Sequence, residues 1–220
     1  MMPARCIAFL LIAATSLGCA SQPGWRPLFD EKTLDGWRVY RGVAPTGWEV
    51  RDGALTKMQA TRDIISVDQF GDFELSFEWR VATGGNAGVF YRATEEYERV
   101  YWSAPEYQLL DDANARDGAS RLTAAGSAFG LYPATAGVVR PAGEWNTTRI
   151  VAHGAHVEHW LNGIKLLEYE LWSPEWDAKV KASKFGAWPN YGRAARGHIA
   201  VQGDHSGELS LRNIRIREIR

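Results

Sequence analysis

Apolar and polar residues alternate with a period of two along much of the chain after Trp25. In residues 73–81, every odd-numbered position is apolar and every even-numbered position is polar or charged. A half-buried β-strand gives this pattern because successive side chains point to opposite faces of the sheet. The segment therefore predicts a strand with one face in a core.

Turn residues separate these alternating segments. Asn162-Gly163 predicts a tight hairpin into the strand at 164–171, and Asp52-Gly53 predicts a second hairpin. Residues 148–161 predict two strands that turn near His153-Gly154. The apolar phase of the last strand shifts at Arg212-Asn213, which indicates a β-bulge.

Short strands with frequent turns predict an all-β fold, an antiparallel β-sandwich or jelly roll. The long helical patterns of a parallel α/β sheet are missing from the sequence, although residues 172–184 can hold one short helix in a loop. Residues 113–128 predict a long irregular excursion. Loops of that length in a compact domain more often have a function than serve only as connections.

Several strands carry amide and charged side chains at alternate positions. The pairs that share a face are Glu106 with Gln108, Asn86 with Arg92, and Gln202 with Asp204. On one sheet, these groups would form a polar platform for a hydroxyl-rich ligand. The alternative is a merely solvated face, which antiparallel sheets commonly have.

Composition narrows the possible partners and redox chemistry of the chain. The 220 residues include 25 Lys and Arg against 26 Asp and Glu, so the chain lacks the basic surplus of a nucleic-acid binder. Cys6 and Cys19 are its two cysteines, which excludes disulfides, zinc-thiolate sites and cysteine catalysis in the body of the protein.

Ten tryptophans are available for core packing or for stacking on sugar rings. Trp79 follows the apolar phase of its strand, which favours the core. Trp102 and Trp188 lie in predicted loops, and Trp160 shares a face with His156 and Glu158. We expect sugar contact at these last three tryptophans, with packing as the alternative.

The first residues have the layout of a secretory signal, with a charged start, an apolar run and small residues near Cys19. Residues 16–19 resemble a bacterial lipobox, so residues 1–18 are predicted to be a signal peptide and Cys19 to be lipidated. Cleavage by ordinary signal peptidase after Ala20 is the alternative. We expect an exported, periplasmic protein anchored to the outer membrane, with one domain at 25–220.

Two places carry candidate acid–base chemistry. Glu106 is a carboxylate with an amide beside it on the same face, and Asp204 precedes His205 at a predicted strand end, where a turn role is the alternative. His156 and His159 would face opposite sides of a strand, which argues against a shared metal ion. No cluster demands a cofactor, although a divalent cation is compatible with the sequence.

A set of motifs, in order from Trp25 to Arg220, resembles the DUF1080 or 3-keto-disaccharide hydrolase family. The motifs are Trp25-Arg26-Pro27-Leu28-Phe29-Asp30, Leu34-Asp35-Gly36-Trp37, residues 48–53, Phe73-Glu74-Leu75, residues 86–92, Glu106-Tyr107-Gln108, Gly143-Glu144-Trp145-Asn146, Trp160-Leu161-Asn162-Gly163, Ser183-Lys184-Phe185, residues 197–202 and Arg212-Asn213-Ile214. Two departures are Asn86-Ala87-Gly88, where many relatives have Asn-Ser-Gly, and the longer run Gln202-Gly203-Asp204-His205-Ser206-Gly207.

The resemblance implies a concanavalin-like jelly roll that cleaves 3-keto-glycosides or 3-keto-disaccharides. A ketone at C3 acidifies the C2 proton, so a base can remove it and the C1 substituent can leave before water adds. For this route the hypothesis assigns Glu106 and His205 as the acid and base. It assigns the substrate contacts to Asn86, Arg92, Gln108, Gln202, Asp204, Trp102, Trp160 and Trp188.

Two other functions stay open. A non-catalytic carbohydrate-binding module can share this fold, since a fold does not fix a function. An ordinary glycoside hydrolase is disfavoured because the Glu-x-Asp-x-x-Glu strand motif of many jelly-roll glucanases is absent.

Overall fold

The computed structural model describes residues 24–135 and 137–219, so the predicted signal peptide and Cys19 lie outside the described residues. Thirteen strands and one α-helix are present there. They are β1 (Arg26–Pro27), β2 (Trp37–Val39), β3 (Glu49–Arg51), β4 (Ala54–Lys57), β5 (Ile64–Phe70), β6 (Phe73–Val81), β7 (Asn86–Ala93), β8 (Glu106–Leu110), β9 (Asn146–His153), β10 (His156–Leu161), β11 (Ile164–Glu170), α1 (Pro174–Ala182), β12 (Gly197–Val201) and β13 (Leu209–Glu218).

The strands form two antiparallel sheets, which confirms the predicted β-sandwich. The larger sheet has the order β11-β10-β9-β6-β13-β4-β3, with β1 also paired to β13. The smaller sheet has the order β2-β5-β12-β7-β8. Apolar side chains of both sheets meet in one continuous core.

Alternation along the strands places the core as predicted. In β6 the odd-numbered residues are buried and the even-numbered residues are half-buried. Trp79 is fully buried, and its indole N–H donates to Thr148 Oγ1 at 2.9 Å. The Thr148 hydroxyl donates to Tyr107 OH at 3.0 Å, and Tyr107 OH donates to the Trp160 carbonyl at 3.1 Å. This chain of hydrogen bonds satisfies polar atoms deep between the two sheets.

The turns and the bulge lie where the sequence predicts them. Asp52 and Gly53 have φ of 50° and 75°, and Asn162 and Gly163 have φ of 50° and 85°, the left-handed pair that a tight hairpin needs. The pairing of β13 with β6 shifts between Arg212 and Arg215, which confirms the bulge.

The predicted helix is present as α1. The Ser173 side chain accepts a hydrogen bond from Trp176 N–H at the helix start, where Pro174 also favours helix entry. Residues 113–128 are irregular apart from one short 3₁₀ turn at Arg116–Ala119. None of the helices in the described ranges is long and apolar enough to cross a membrane.

The outer face of the smaller sheet is divided into two parts. A small apolar cluster that includes Tyr40, Ile65, Phe90, Val100 and Ala200 covers one part. The other part remains open to solvent beside the ends of β7, β8 and β12. This division leaves a polar depression on the smaller sheet, away from the main core.

We predict that Thr148→Val lowers the free energy of unfolding by about 1–3 kcal/mol, because it leaves Trp79 Nε1 without its buried acceptor. Chemical denaturation measures this loss. The control is Thr147→Val, at the exposed neighbouring position, which should stay within about 0.5 kcal/mol of wild type. Equal effects of the two variants would contradict the proposed role of the buried hydroxyl.

Candidate active site

A cavity of about 380 Å³ lies on the outer face of the smaller sheet, and we call it the primary cavity. Six of the residues selected from the sequence line it, and four further residues complete the wall. The lining residues are Asn86, Tyr101, Glu106, Gln108, Asp117, Phe129, Lys184, Gln202, Asp204 and His205.

Strand register brings together the polar side chains of β7, of β8 and of the segment just after β12. Gly88 of β7 pairs with Gln108 of β8, and Phe90 pairs with Glu106. On the other side of β7, Val89 pairs with Val201, and Gln202 N–H donates to the Gly88 carbonyl at 2.9 Å. Alternate residues of adjacent strands therefore point into the same space.

Gly88 makes room for the Glu106 carboxyl. A β-carbon at position 88 would lie 2.1 Å from Glu106 Oε1 and 2.6 Å from its Cγ, far inside contact distance. The carboxyl thus occupies the volume that a side chain on the neighbouring strand would fill. Any larger residue at position 88 would displace it.

Glu106 is only 5% exposed, and this burial raises its pKa to about 8, while the positive charge of Lys184 opposes the shift. The negative charges of Asp204, Asp63 and Asp117 raise it further. The site therefore holds a carboxyl group that exchanges its proton near neutral pH, as an acid–base catalyst needs.

The amide side chains form a short chain with open ends. Gln108 Nε2 donates to Asn86 Oδ1 at 3.0 Å, and Asn86 Nδ2 donates to Asp117 Oδ2 at 3.0 Å. Gln108 Oε1 and Gln202 Oε1 are both buried and lack a hydrogen-bond partner among the described residues. A buried acceptor without a hydrogen bond lowers the stability of the folded protein. These two oxygens are therefore suited to accept hydrogen bonds from the hydroxyl groups of a ligand.

Two buried charged residues hold the loop 202–207, which carries Asp204 and His205. Lys57 is 1% exposed, and its Nζ donates to the His205 carbonyl at 2.7 Å and to the Gly207 carbonyl at 3.0 Å. Asp63 is 7% exposed and accepts from Gly203 N–H at 2.8 Å. Asp204 Oδ1 and His205 Nε2 lie 3.9 Å apart in this loop.

Four lining residues were not selected from the sequence, namely Tyr101, Asp117, Phe129 and Lys184. Lys184 Nζ lies 4.4 Å from the centre of the Phe129 ring, so the cation is held over an aromatic face. Asp117 lies within the long irregular excursion, Phe129 directly follows it, and Lys184 follows α1. The sequence signals were the functional expectation for that excursion, for Asp117, and the Ser183-Lys184-Phe185 motif, for Lys184.

Arg92 lies away from the primary cavity, so we remove it from the set of ligand contacts. Its guanidinium donates to the carbonyls of Gly71 and Gly154 at 2.9 and 2.8 Å and to Asp72 at 3.0 Å. The side chain is 2% exposed. These bonds give Arg92 a structural role between the loops that contain Gly71 and Gly154.

The selected tryptophans also lie outside the cavity lining. Trp160 is on the larger sheet, where its indole N–H donates to Glu158 at 2.7 Å and its ring packs under Arg149, so it is removed from the sugar contacts. Trp102 and Trp188 stack on each other with centroids 4.9 Å apart, and Trp102 packs edge-on against Tyr101. The stacked pair therefore supports one wall residue of the cavity.

Metal-type ligands do cluster on the outer face of the larger sheet. Within the described ranges, His156, Glu158 and Glu168 have ligand atoms within 4.8 Å of one another. Lys165 Nζ lies 2.5 Å from Glu168 and 3.4 Å from Glu158, so an ion-pair network already balances these carboxylates. His159 is fully buried on the opposite face, as predicted, and burial lowers its pKa to about 4.

Comparison with known proteins identifies the family. Residues 24–217 match the profile of the 3-keto-alpha-glucoside-1,2-lyase-like domain. The chain belongs to this family. The match covers most of the chain and confirms the DUF1080 resemblance. Membership also confirms the prediction of an enzyme of the hydrolase class.

Two relatives support the 3-keto-alpha-glucoside-1,2-lyase-like assignment. A 3-keto-disaccharide hydrolase of Bacteroides thetaiotaomicron is 34% identical, over 88% of this chain and 78% of the relative. A Parabacteroides distasonis protein, provisionally described as a glycosyl hydrolase, has a crystal structure that superposes with a TM-score of 0.85 at 30% identity. That superposition covers 90% of this chain and 94% of the other.

A more distant solved structure shares the fold of this family member. A GH16 endo-β-1,3(4)-glucanase, SCLam, superposes with a TM-score of 0.56 at 8% identity. The superposition covers 91% of this chain and 94% of the glucanase. Identity this low shows the jelly-roll architecture alone.

We predict that Glu106→Gln gains stability relative to wild type as the pH rises from 5 to 9. The folded pKa of about 8 lies above the ordinary value of 4.5, so folded wild type binds its proton more tightly and loses stability across that interval. Denaturation at several pH values measures the difference. Glu144→Gln, in an exposed loop, controls for the removal of one carboxylate charge. A pH-independent difference would contradict the buried, proton-binding carboxyl.

We predict that Lys57→Met speeds amide hydrogen exchange at residues 203–207 about tenfold, because two loop carbonyls lose their buried donor. Hydrogen exchange with mass spectrometry or NMR detection measures the rates. Lys32→Met removes an exposed lysine as the matched control. Identical loop exchange in both variants would show that Lys57 does not hold the loop.

Proposed function

We propose that the protein cleaves 3-keto-glycosides by removing the C2 proton, expelling the C1 substituent and then adding water. The observation that carries this proposal is the buried Glu106 carboxyl in the primary cavity. The Bacteroides thetaiotaomicron relative, described as a 3-keto-disaccharide hydrolase, supports the substrate class.

Glu106 is the proposed general base. Removing a proton from carbon next to a ketone needs a general base, and the transfer becomes less unfavourable as the proton affinity of that base rises. Burial raises the pKa of Glu106 to about 8, so its ionised form is a stronger base than an exposed glutamate. The C2 proton moves to Glu106, and the C–H electron pair forms the enolate with C3.

The wall of the primary cavity supplies donors for the developing oxyanion. Lys184 is a cation in this lining, whereas Arg92, which was assigned to the substrate contacts from the sequence, lies elsewhere. The amide of Asn86 is a second candidate donor if a ligand displaces its contact with Asp117. The unpaired oxygens of Gln108 and Gln202 would accept hydrogen bonds from sugar hydroxyls.

Asp204 and His205 are the proposed source of the proton for the leaving group. They lie in the loop 202–207 and line the cavity, and their side chains are 34% and 44% exposed. The departing C1 oxygen takes this proton while the enolate electrons form the C1–C2 double bond. Water then adds to C1 as hydroxide and gives its other proton back to the Asp204–His205 pair, while Glu106 returns the proton to C2, which completes net hydrolysis.

Export and metal use are further parts of the proposal. We infer that residues 1–18 direct export and that Cys19 carries a lipid anchor in the outer membrane, with a soluble secreted form as the alternative. A divalent cation could polarise the ketone, and assays with and without chelator test that addition.

The test is incubation of the protein with a 3-keto-glycoside and with its unoxidised parent. We expect turnover of the keto sugar alone. In deuterated water, the 3-keto sugar product should carry deuterium at C2, because the proton held by Glu106 exchanges with solvent before it is returned to C2. Turnover of the parent would support an ordinary glycosidase, and binding without turnover would support a carbohydrate-binding module.

We predict that Glu106→Gln lowers kcat/KM for the keto sugar about 10²–10⁴-fold. In wild type, kcat/KM should rise with pH through about 8, because the base acts only when it is deprotonated. Steady-state rates from pH 5 to 10 measure both effects. Full activity in the variant, or a rate that falls through pH 8, would remove Glu106 from the role of base.

A further inference from the structure

A second cleft of about 380 Å³ adjoins the primary cavity. Its walls include Tyr40, Arg41, Asp63, Glu98 and Arg99. Asp204 lines both spaces, so the two depressions meet at that residue. A ligand longer than one sugar ring can therefore extend from one into the other across Asp204.

The second cleft has a fixed wall. Arg38 donates to both carboxylate oxygens of Glu95, at 2.8 and 2.6 Å, and Arg41 N–H donates to the same group at 2.7 Å. The Tyr40 hydroxyl lies 3.0 and 2.7 Å from the carbonyl oxygens of Thr94 and Tyr97, which share its one proton. These bonds join the segment after β2 to the segment after β7, so the cleft is preformed.

The lining chemistry favours a polyhydroxylated ligand. Arg41 and Arg99 offer exposed guanidinium donors, whereas Glu98 and Asp204 offer exposed acceptors. Asp63 adds a buried carboxyl, and burial raises its pKa to about 6. Tyr40 is the one aromatic residue among the described lining residues, and it is 5% exposed, so the cleft lacks an open stacking platform. Alternating donors and acceptors suit the vicinal hydroxyls of a sugar.

We propose that this second cleft is the leaving-group subsite and that it takes a second sugar rather than an aromatic aglycone. The inference rests on the proposed function and extends it to the other half of the substrate. The keto ring occupies the primary cavity, where Glu106 and the unpaired amide oxygens lie. The scissile C1–oxygen bond then lies near Asp204, at the junction of the two spaces.

The test compares three keto substrates that differ only in their leaving group, namely a 3-keto-disaccharide, methyl 3-keto-glucoside and p-nitrophenyl 3-keto-glucoside. We expect the variant Arg41→Ala/Arg99→Ala to raise KM for the disaccharide roughly tenfold. KM for the methyl glycoside should stay within about twofold, because its leaving group does not reach the cleft. Arg196→Ala, at an exposed position outside both spaces, is the matched control.

Other outcomes would overturn the inference. Equal losses on all three substrates would place the arginines at the keto ring or in the fold, and unchanged kinetics would leave the cleft without a substrate. A loss confined to the p-nitrophenyl glycoside would assign the cleft to aromatic groups.

The failure of the proposed function is distinguishable from the failure of this inference. If wild type turns over none of the keto substrates, the proposed function fails. Calorimetric titration with the unoxidised disaccharide and its methyl glycoside then tests the cleft alone. Weaker disaccharide binding in the double variant would support the subsite, and equal binding would overturn it.

Discussion

The position of the Glu106 carboxyl depends on the missing side chain at Gly88. A β-carbon there would lie 2.1 Å from a carboxyl oxygen, so glycine on β7 is what allows an acid from β8 to lie across the sheet surface. That close packing also removes water from the carboxyl, which raises its pKa to about 8. The absence of a side chain at Gly88 therefore determines both the position and the proton affinity of the Glu106 carboxyl.

The rest of the site compensates for this buried acid. Lys184 offsets the loss of solvation with a nearby positive charge. The loop 202–207 carries Asp204, whose negative charge raises the pKa of Glu106, whereas Lys184 lowers it. The position of this loop therefore affects the proton affinity of Glu106. Lys57 and Asp63 hold that loop from beneath through backbone hydrogen bonds. Lys57 at the end of β4 and Asp63, just before β5, thus support the site without lining the primary cavity themselves.

Strand periodicity predicted the side chains at the centre of the site. It did not predict the residues at its edges, for reasons that the structure shows. Asn86, Glu106, Gln108 and Gln202 share one face because regular strands alternate. Arg92 departs from that face, since its φ of 54° interrupts the extended backbone at the end of β7. Trp160 has the predicted outward direction, but alternation cannot say which sheet a strand joins. Lys184 and Asp117 lie in segments without a strand period, where only tertiary packing decides direction.

The fold alone does not distinguish catalysis from binding, since one fold can carry many unrelated functions. The energetics of Glu106 do bear on that choice. A binding face can satisfy sugar hydroxyls with amides and exposed charges, so it gains little from burying an acid whose ionisation destabilises the fold. An acid–base catalyst needs a proton affinity near the working pH and accepts that loss of stability. The cavity of this protein carries such an acid beside two unpaired amide oxygens, which favours an enzyme over a lectin.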